Sequence, residues 1–354
     1  MSDPDVTMLN VYKARQRISA RVRRTPLISS PWLTESVGAS VYLKAECLQV
    51  TGSFKIRGAA NKMLSLSAEE RERGVITVSS GNHGRAVSFI ARQLGVEAVV
   101  CMSERVPRNK VEAVRILGAE AVVHGESYDR AEEHASRLQE ERGLTKIDGS
   151  DDPLVIAGQG TIGLELLEEL PEIDTVIVPV GGGGLISGIA LVLKSANRSI
   201  RVIGVQMDRA PVMYHSLKAG ALITMEEQDT IADALAGNIA LDNQYTFRMV
   251  QELVDDVVLV SEEDIAASMA FALEKHHLVV EGAGAVGIAA LLYRKVREVG
   301  RNVVSVASGS SVSLPLLLKV AQEHIASHPG DVDGSDCGAA AAAETRPGPS
   351  QDLS

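Results

Sequence analysis

Pro179-Val180-Gly181-Gly182-Gly183-Gly184-Leu185-Ile186-Ser187-Gly188 decides how this chain of 354 residues is read. An apolar run at 175–180 enters the stretch, four glycines interrupt it, and a helical pattern at 185–194 leaves it. A strand that turns through glycines into a helix is the repeating unit of a parallel sheet, because the helix carries the chain back to begin a neighbouring strand. Four consecutive glycines cost backbone entropy, so they point to a task that side chains would obstruct. That task is anion binding, most often of a phosphate, by unblocked N–H groups at the positive end of a helix. A nicotinamide-binding turn competes: Gly182 and Gly184 supply two of its glycines and Asp208 a ribose ligand, yet Ser187 stands at the third glycine position. No Gly-Lys-Ser/Thr follows the glycines, which excludes a nucleotide triphosphate loop.

Outward from this junction the same rhythm continues. Strand patterns at 41–44, 75–78, 98–102 and 121–123 precede helical patterns at 85–94, 110–117 and 128–142, and a helix at 160–170 and a strand at 201–206 flank the glycines. The expected fold class is α/β, with two open, twisted, mostly parallel sheets flanked by helices. The boundaries predict a large domain of residues 1–73 and 150–327 and a small domain of residues 74–149. An amphipathic helix is expected at 6–20, with Val11, Ala14 and Ile18 on one side. Thr25-Pro26-Leu27 forces an extended segment, since the residue before a proline avoids the helical region. From residue 328 the composition turns to Gly, Ala, Pro, Asp and Ser, and residues 328–354 are expected to be a disordered tail.

Composition narrows the functional classes. A hydrophobic share of 45% and a charged share of 23% suit a soluble globular enzyme. Aromatic residues at 3% and a net charge of -11 argue against nucleic acid as a partner, and the arginines between Arg15 and Arg24 are too local to reverse that. Cys47, Cys101 and Cys337 show no paired spacing and fit reduced thiols in a cytoplasm. No apolar run reaches membrane-spanning length, and the first residues lack the form of a signal peptide. His276 and His277 lack zinc-protease spacing, and Asp208 is the lone acid after the strand at 201–206, so no metal is expected.

Three further junctions carry chemistry. Thr51-Gly52-Ser53-Phe54-Lys55-Ile56-Arg57-Gly58 sets one lysine among small and apolar neighbours, where desolvation frees its amine to attack an aldehyde. Ser79-Ser80-Gly81-Asn82-His83-Gly84 follows a strand, and its hydroxyls, amide and N–H groups suit a carboxylate or a ring oxygen. Ser308-Gly309-Ser310-Ser311 offers another hydroxyl at a strand end. Ligands gather at the carboxyl ends of parallel strands, so these junctions can converge on one crevice. Arg130 opens a helix and is either a carboxylate ligand or a solvated first-turn arginine. Glu281, before a glycine-rich helix start, either faces the ligand or complements the helix dipole.

Ser53 to Gly58, Ser79 to Gly84, Gly158-Gln159-Gly160-Thr161 and Gly181 to Gly184, in this order, resemble the threonine dehydratase and serine racemase family of pyridoxal-phosphate enzymes of fold type II. The resemblance covers residues 8–327. It implies pyridoxal 5'-phosphate between a large and a small domain, with Lys55 holding its aldehyde as a Schiff base and Gly181, Gly182, Gly183 and Gly184 holding its phosphate. Phe54 would pack near the ring, Asn82 would meet the ring hydroxyl, and Ser308 the pyridine nitrogen. Ser79, Ser80, Gly81, Asn82 and His83 would receive the substrate carboxylate, and Ser80 would face Lys55 across the substrate. The implied activity is a dehydratase, an ammonia-lyase acting on a β-hydroxy amino acid. The alternatives are a racemase using Lys55 and Ser80, and a catalytically silent ligand-binding protein. The stretch 230–247, TIADALAGNIALDNQYTF, with Glu281 to Gly287, is similar to hydroxyectoine-utilisation dehydratases, which implies hydroxyectoine or its ring-opened derivative as substrate. The family further implies a homodimer.

Overall fold

The computed structural model describes residues 6–79 and 81–327. Ser80 and the expected tail at 328–354 lie outside the described residues. Ten strands are described: β1 Leu27–Ser29, β2 Ser40–Lys44, β3 Val75–Val78, β4 Ala98–Met102, β5 Glu120–Val123, β6 Thr145–Lys146, β7 Thr175–Pro179, β8 Arg201–Met207, β9 Asp256–Val260 and β10 Asn302–Val306. They form a six-stranded sheet of order β1-β2-β10-β7-β8-β9 and a four-stranded sheet of order β5-β4-β3-β6. Only β1 runs antiparallel to its neighbour, with Ile28 opposite Leu43. The α/β class with two mostly parallel sheets is therefore the observed one.

Parallel strands buried on both faces need apolar side chains in both directions, and the centre of the large sheet has them. Val176 and Val178 pack toward Ile162, Leu166, Ile186 and Ile189 of the helices Pro153–Glu169 and Gly184–Ala196. Ile177, with Ile203 and Val205, packs toward Met269, Ala285 and Ile288 of the helices Glu262–His276 and Gly282–Leu292. In the small sheet Val75, Val100 and Met102 share one core with Ala86, Val87 and Ile90 of the helix Asn82–Leu94 and with Ile56, Ala59 and Met63 of the helix Lys55–Leu64. The other face, with Ile76, Val78, Val99 and Cys101, is covered by Ala131, Ala135 and Leu138 of the helix Tyr128–Arg142.

The helix that begins at Lys55 thus packs on one side against the helix Asn82–Leu94, which covers the small sheet, and on the other against the helix Pro153–Glu169. Glycine makes the second contact possible: a Cβ at Gly158 would lie 2.6 Å from the Arg57 carbonyl oxygen. Arg57 is fully buried in the crossing. Its Nε and Nη2 donate to Glu46 at 2.9 and 2.8 Å, and its Nη1 donates to Glu165 at 2.6 Å and to Thr161 at 3.1 Å. Thr25 donates to the same Glu46 carboxylate, and Lys44 Nζ pairs with Glu165 at 2.8 Å. Burial opposes the guanidinium charge, but the Glu46 and Glu165 carboxylates more than offset it and hold Arg57 protonated. This network ties the Lys55 helix to β2 and to the helix at 153–169.

Some boundaries differ from expectation. The helix expected at 160–170 starts at Pro153, with Asp152 accepting hydrogen bonds from Leu154 N and Val155 N at 2.8 and 3.1 Å. Proline at the first helical position lacks only an N–H that would have no partner there, so Pro153 starts the helix and does not break it. The helix expected at 85–94 begins at Asn82, directly after Gly81. The helix expected at 6–20 is Met8–Ile18, capped by Thr7, and buries the expected Val11, Ala14 and Ile18. Strands β6 and β9 were not anticipated; β6 has two residues, too few for an alternation to register.

Candidate active site

Strand ends bring the four junctions together. A cleft of about 460 Å³ lies where β7 runs into the glycines, β10 into Ser308, and Asn82 follows β3. Phe54, Lys55, Asn82, all four glycines, Glu281 and Ser308 line it. Four sequence-distant segments therefore share one crevice at the carboxyl ends of parallel strands. An isolated bridge between Ser53 and Gly309, and the hydrogen bond from Phe54 N to Ser308 O at 3.1 Å, fasten two of them to each other.

Lys55 opens its helix with its amine turned into the cleft. Nζ donates to the Gly149 carbonyl at 2.6 Å and sits 5.3 Å from the centre of the Phe54 ring. Burial lowers the amine from its ordinary value to about 8, and the field of Asp148 opposes that shift. A lysine in this state is neutral far more often near neutral pH than an exposed one, which is what nucleophilic or basic work requires.

The glycines turn toward the loop at 148–152. Gly183 adopts φ +88°, a left-handed conformation that glycine enters without a Cβ penalty. A Cβ at Gly184 would stand 2.7 Å from the Ser150 carbonyl oxygen, and one at Gly182 2.6 Å from Ser150 Oγ. The helix Gly184–Ala196 then points the N–H groups of its first turn at the cleft, since these have no partner inside a helix. Gly184→Ala forces backbone to move at the mouth of this cradle. We expect the substitution to cost about 1–3 kcal/mol of unfolding free energy through overpacking against Ser150. Denaturant titration of the variant beside wild type measures it.

Across the cleft, Asn82 Nδ2 donates to Glu281 Oε1 at 2.6 Å, and Ser311 N donates to Glu281 Oε2 at 3.1 Å. Burial, and then the charge of Asp233, push the Glu281 carboxyl up to about 7, while Lys110, Asn82 and Ser311 pull it down. Asn82 Oδ1 is buried without a partner and is free to accept from a ligand hydroxyl. His83 Nε2–H donates to Ile147 O at 3.1 Å, so Nδ1 carries the lone pair, and it too is buried without a partner. Burial and the nearby Lys55 charge lower His83 to about 4, which keeps the ring neutral. Ser79 Oγ accepts from Gly81 N at 3.0 Å and rounds the loop. Ser80 falls outside the described residues. Arg130 turns away to an exposed ion pair with Glu133.

The residues singled out from sequence do not include Asp148, Gly149 and Ser150, which support Lys55 and the glycines, nor Lys110 and Asp233, which pair with each other beside the cleft. Gly149 contributes a carbonyl oxygen and Ser150 a backbone surface. Neither leaves a side-chain signal; the acid-rich run 148–152 is the only trace.

Residues 18–309 match the family described as pyridoxal-phosphate dependent enzyme, and the chain belongs to that family. In this chain the cleft sets the buried Lys55 amine beside four consecutive glycines. Among individual proteins, the chain is 43% identical over 315 residues to the L-threonine ammonia-lyase of Thermotoga maritima, covering 89% of this chain and 78% of that one. It is 42% identical over 314 residues to the catabolic L-threonine dehydratase of Escherichia coli K12, covering 88% and 95%. The structure of maize serine racemase superimposes with a TM-score of 0.84 at 37% identity, covering 92% of this chain and 100% of that one.

Proposed function

We propose that the protein is an ammonia-lyase that carries out α,β-elimination on a β-hydroxy amino acid, with L-threonine as its substrate. Water is lost from the substrate and regained on hydrolysis, so that the net products are a 2-oxo acid and ammonia. The observation that carries this reading is the buried Lys55 amine, lowered to about 8 and aimed into a cleft floored by the four glycines. The relatives named for L-threonine support the substrate.

The residues fit pyridoxal phosphate. Lys55 would hold its aldehyde, Gly181 to Gly184 its phosphate, Asn82 its ring hydroxyl and Ser308 its ring nitrogen, while Phe54 packs beside it. When bound, the group supplies an electron sink that makes the substrate α-proton acidic. Lys55 takes that proton, and its depressed basicity lets it do so at neutral pH. The loop 79–83 and the first N–H groups of the helix Asn82–Leu94 receive the substrate carboxylate. Ser308, a neutral hydroxyl, would not hold the ring nitrogen protonated as a carboxylate would, which would weaken the sink and suit expulsion of a good leaving group. Residues 74–149 act as a small domain against a large domain of 1–73 and 150–327. A cytoplasmic homodimer is the working assembly.

The stretch 230–247 brings Ala234 and Leu235 to the cleft wall. Its similarity to hydroxyectoine-utilisation dehydratases adds a ring-opened, hydroxylated diamino acid to the substrates worth assaying. Racemisation by Lys55 and Ser80 is the second reading, supported by the likeness to maize serine racemase. Incubation with L-threonine, L-serine and the ring-opened derivative, with 2-oxo acid, ammonia and residual handedness followed together, separates them. Ammonia release equal to substrate loss supports the lyase; loss of handedness without ammonia supports the racemase; no turnover of any of them defeats both.

Lys55 also predicts a pH dependence. Its folded value lies below the ordinary lysine value, so the neutral amine gains population as pH rises and is the main form above about 8. Loading of cofactor-free protein should therefore speed up about tenfold per pH unit below that point and level off above it. Stopped-flow absorbance of the loading reaction reports the profile.

A further inference from the structure

The geometry points to Lys110 as a substrate-positioning residue that exchanges its protein partner, Asp233, for the α-carboxylate of the incoming amino acid. This rests on the proposed seating of the substrate carboxylate at the start of the helix Asn82–Leu94. Lys110 lies on the helix Arg108–Ile116, between two strands of the small sheet. Asp233 opens the short turn Asp233–Leu235, which belongs to the wall of the large sheet's side. Their ion pair therefore joins the small-sheet side to the turn whose next residues, Ala234 and Leu235, line the cleft.

The two partners are not equally dependent on each other. The Lys110 side chain is 7% exposed and that of Asp233 is 43% exposed. A buried ammonium that loses its anion carries an uncompensated charge, whereas a half-exposed carboxylate that loses its cation is taken up by water. Lys110 must keep an anion, but not this one. Its stem lies over Gly81: a Cβ there would fall 2.9 Å from Lys110 Cδ and 3.5 Å from Nζ. Glycine at 81 is what lets the ammonium reach the residue just before the helix Asn82–Leu94. An anion seated on that helix start, where the first N–H groups have no partner inside the helix, is then within reach of Lys110.

An exchange of this kind has a signature that a plain clasp lacks. If Asp233 competes with the substrate carboxylate, removing the lysine and removing the aspartate act in opposite directions. The test is titration of cofactor-loaded protein with glycine, read by the change in cofactor absorbance, in wild type, Lys110→Met, Lys110→Arg and Asp233→Asn. Lys110→Met should weaken glycine by about 10- to 100-fold, the worth of a charge-assisted contact, with Lys110→Arg recovering part of the loss. Asp233→Asn should leave glycine binding equal or a few-fold tighter. 1-Aminopropan-2-ol, which lacks the carboxylate, should bind wild type and Lys110→Met alike. Equal weakening by the Lys110→Met and Asp233→Asn changes, or a Lys110→Met protein that binds glycine as wild type does, overturns the proposal. Because glycine has no β-hydroxyl, this titration reads Lys110 even if assays with β-hydroxy amino acids show no elimination.

Discussion

Lys55→Ala is expected to abolish release of 2-oxo acid and ammonia, by at least about a thousandfold, because the proton transfer and the covalent attachment of the cofactor proposed for Lys55 are removed together. The residue sits at the start of the helix Lys55–Leu64, and alanine is the most favourable residue in a helix. The folded state should therefore survive, and thermal unfolding of the cofactor-free variant should match wild type closely. On the proposed assignment the glycines, Asn82 and Ser308 still hold the cofactor, so it should bind but be removable by dialysis. Borohydride should fix cofactor to the wild-type chain and leave the variant at its unmodified mass. A variant that keeps turnover would mean that Lys55 is a spectator and that another amine does the work. Retained covalent attachment without turnover would confine Lys55 to proton transfer.

Arg57→Met should have the largest effect on stability, about 3–5 kcal/mol of unfolding free energy, measured by denaturant titration. The lost guanidinium serves Glu46 and Glu165 at once, and Glu46 is fully buried. Its removal leaves a carboxylate without its main counter-charge in the crossing between two helices. A second change, Glu46→Gln, should recover part of the loss in the double variant, because the penalty belongs to the unpaired charge more than to the missing attraction. Acid sensitivity should change as well. Burial raises the Glu165 carboxyl, but Arg57 first and Lys44 second outweigh that and hold it below its ordinary value. A carboxyl depressed in the folded state contributes stability above its unfolded value and loses it as pH falls through the folded one. The variant should accordingly show a shallower decline of stability on acidification than wild type. Catalysis should suffer only indirectly, through the helix that presents Lys55.

The strand-and-helix alternation was legible because buried parallel strands must be apolar on both faces, and 75–78, 98–102, 175–180 and 201–206 are so without exception or nearly so. The glycine junction was legible for a different reason: Gly181 to Gly184 pay too much entropy to be accidental. Both signals are local, so the residues alone declare them. Lys55 as a candidate anchor, and Asn82 and Ser308 as its company, were likewise visible as polar groups at strand ends.

What the chain could not declare is which groups stand opposite. Lys55 finds Gly149 O across 94 residues of sequence, through a backbone carbonyl that every residue type possesses. Ser150 supports Gly182 and Gly184 by surface and not by chemistry. Lys110 meets Asp233, and Asn82 meets Glu281, only because two sheets are set against each other. The depressed amine of Lys55 and the raised carboxyl of Glu281 are consequences of burial, a property of the closed fold and not of any residue within it. Sequence by itself determined the α/β class and the residue types at the strand ends, because periodicity and backbone entropy act between near neighbours. Tertiary structure decided partners, protonation and reach, because desolvation and electrostatic fields depend on everything the fold packs around a group.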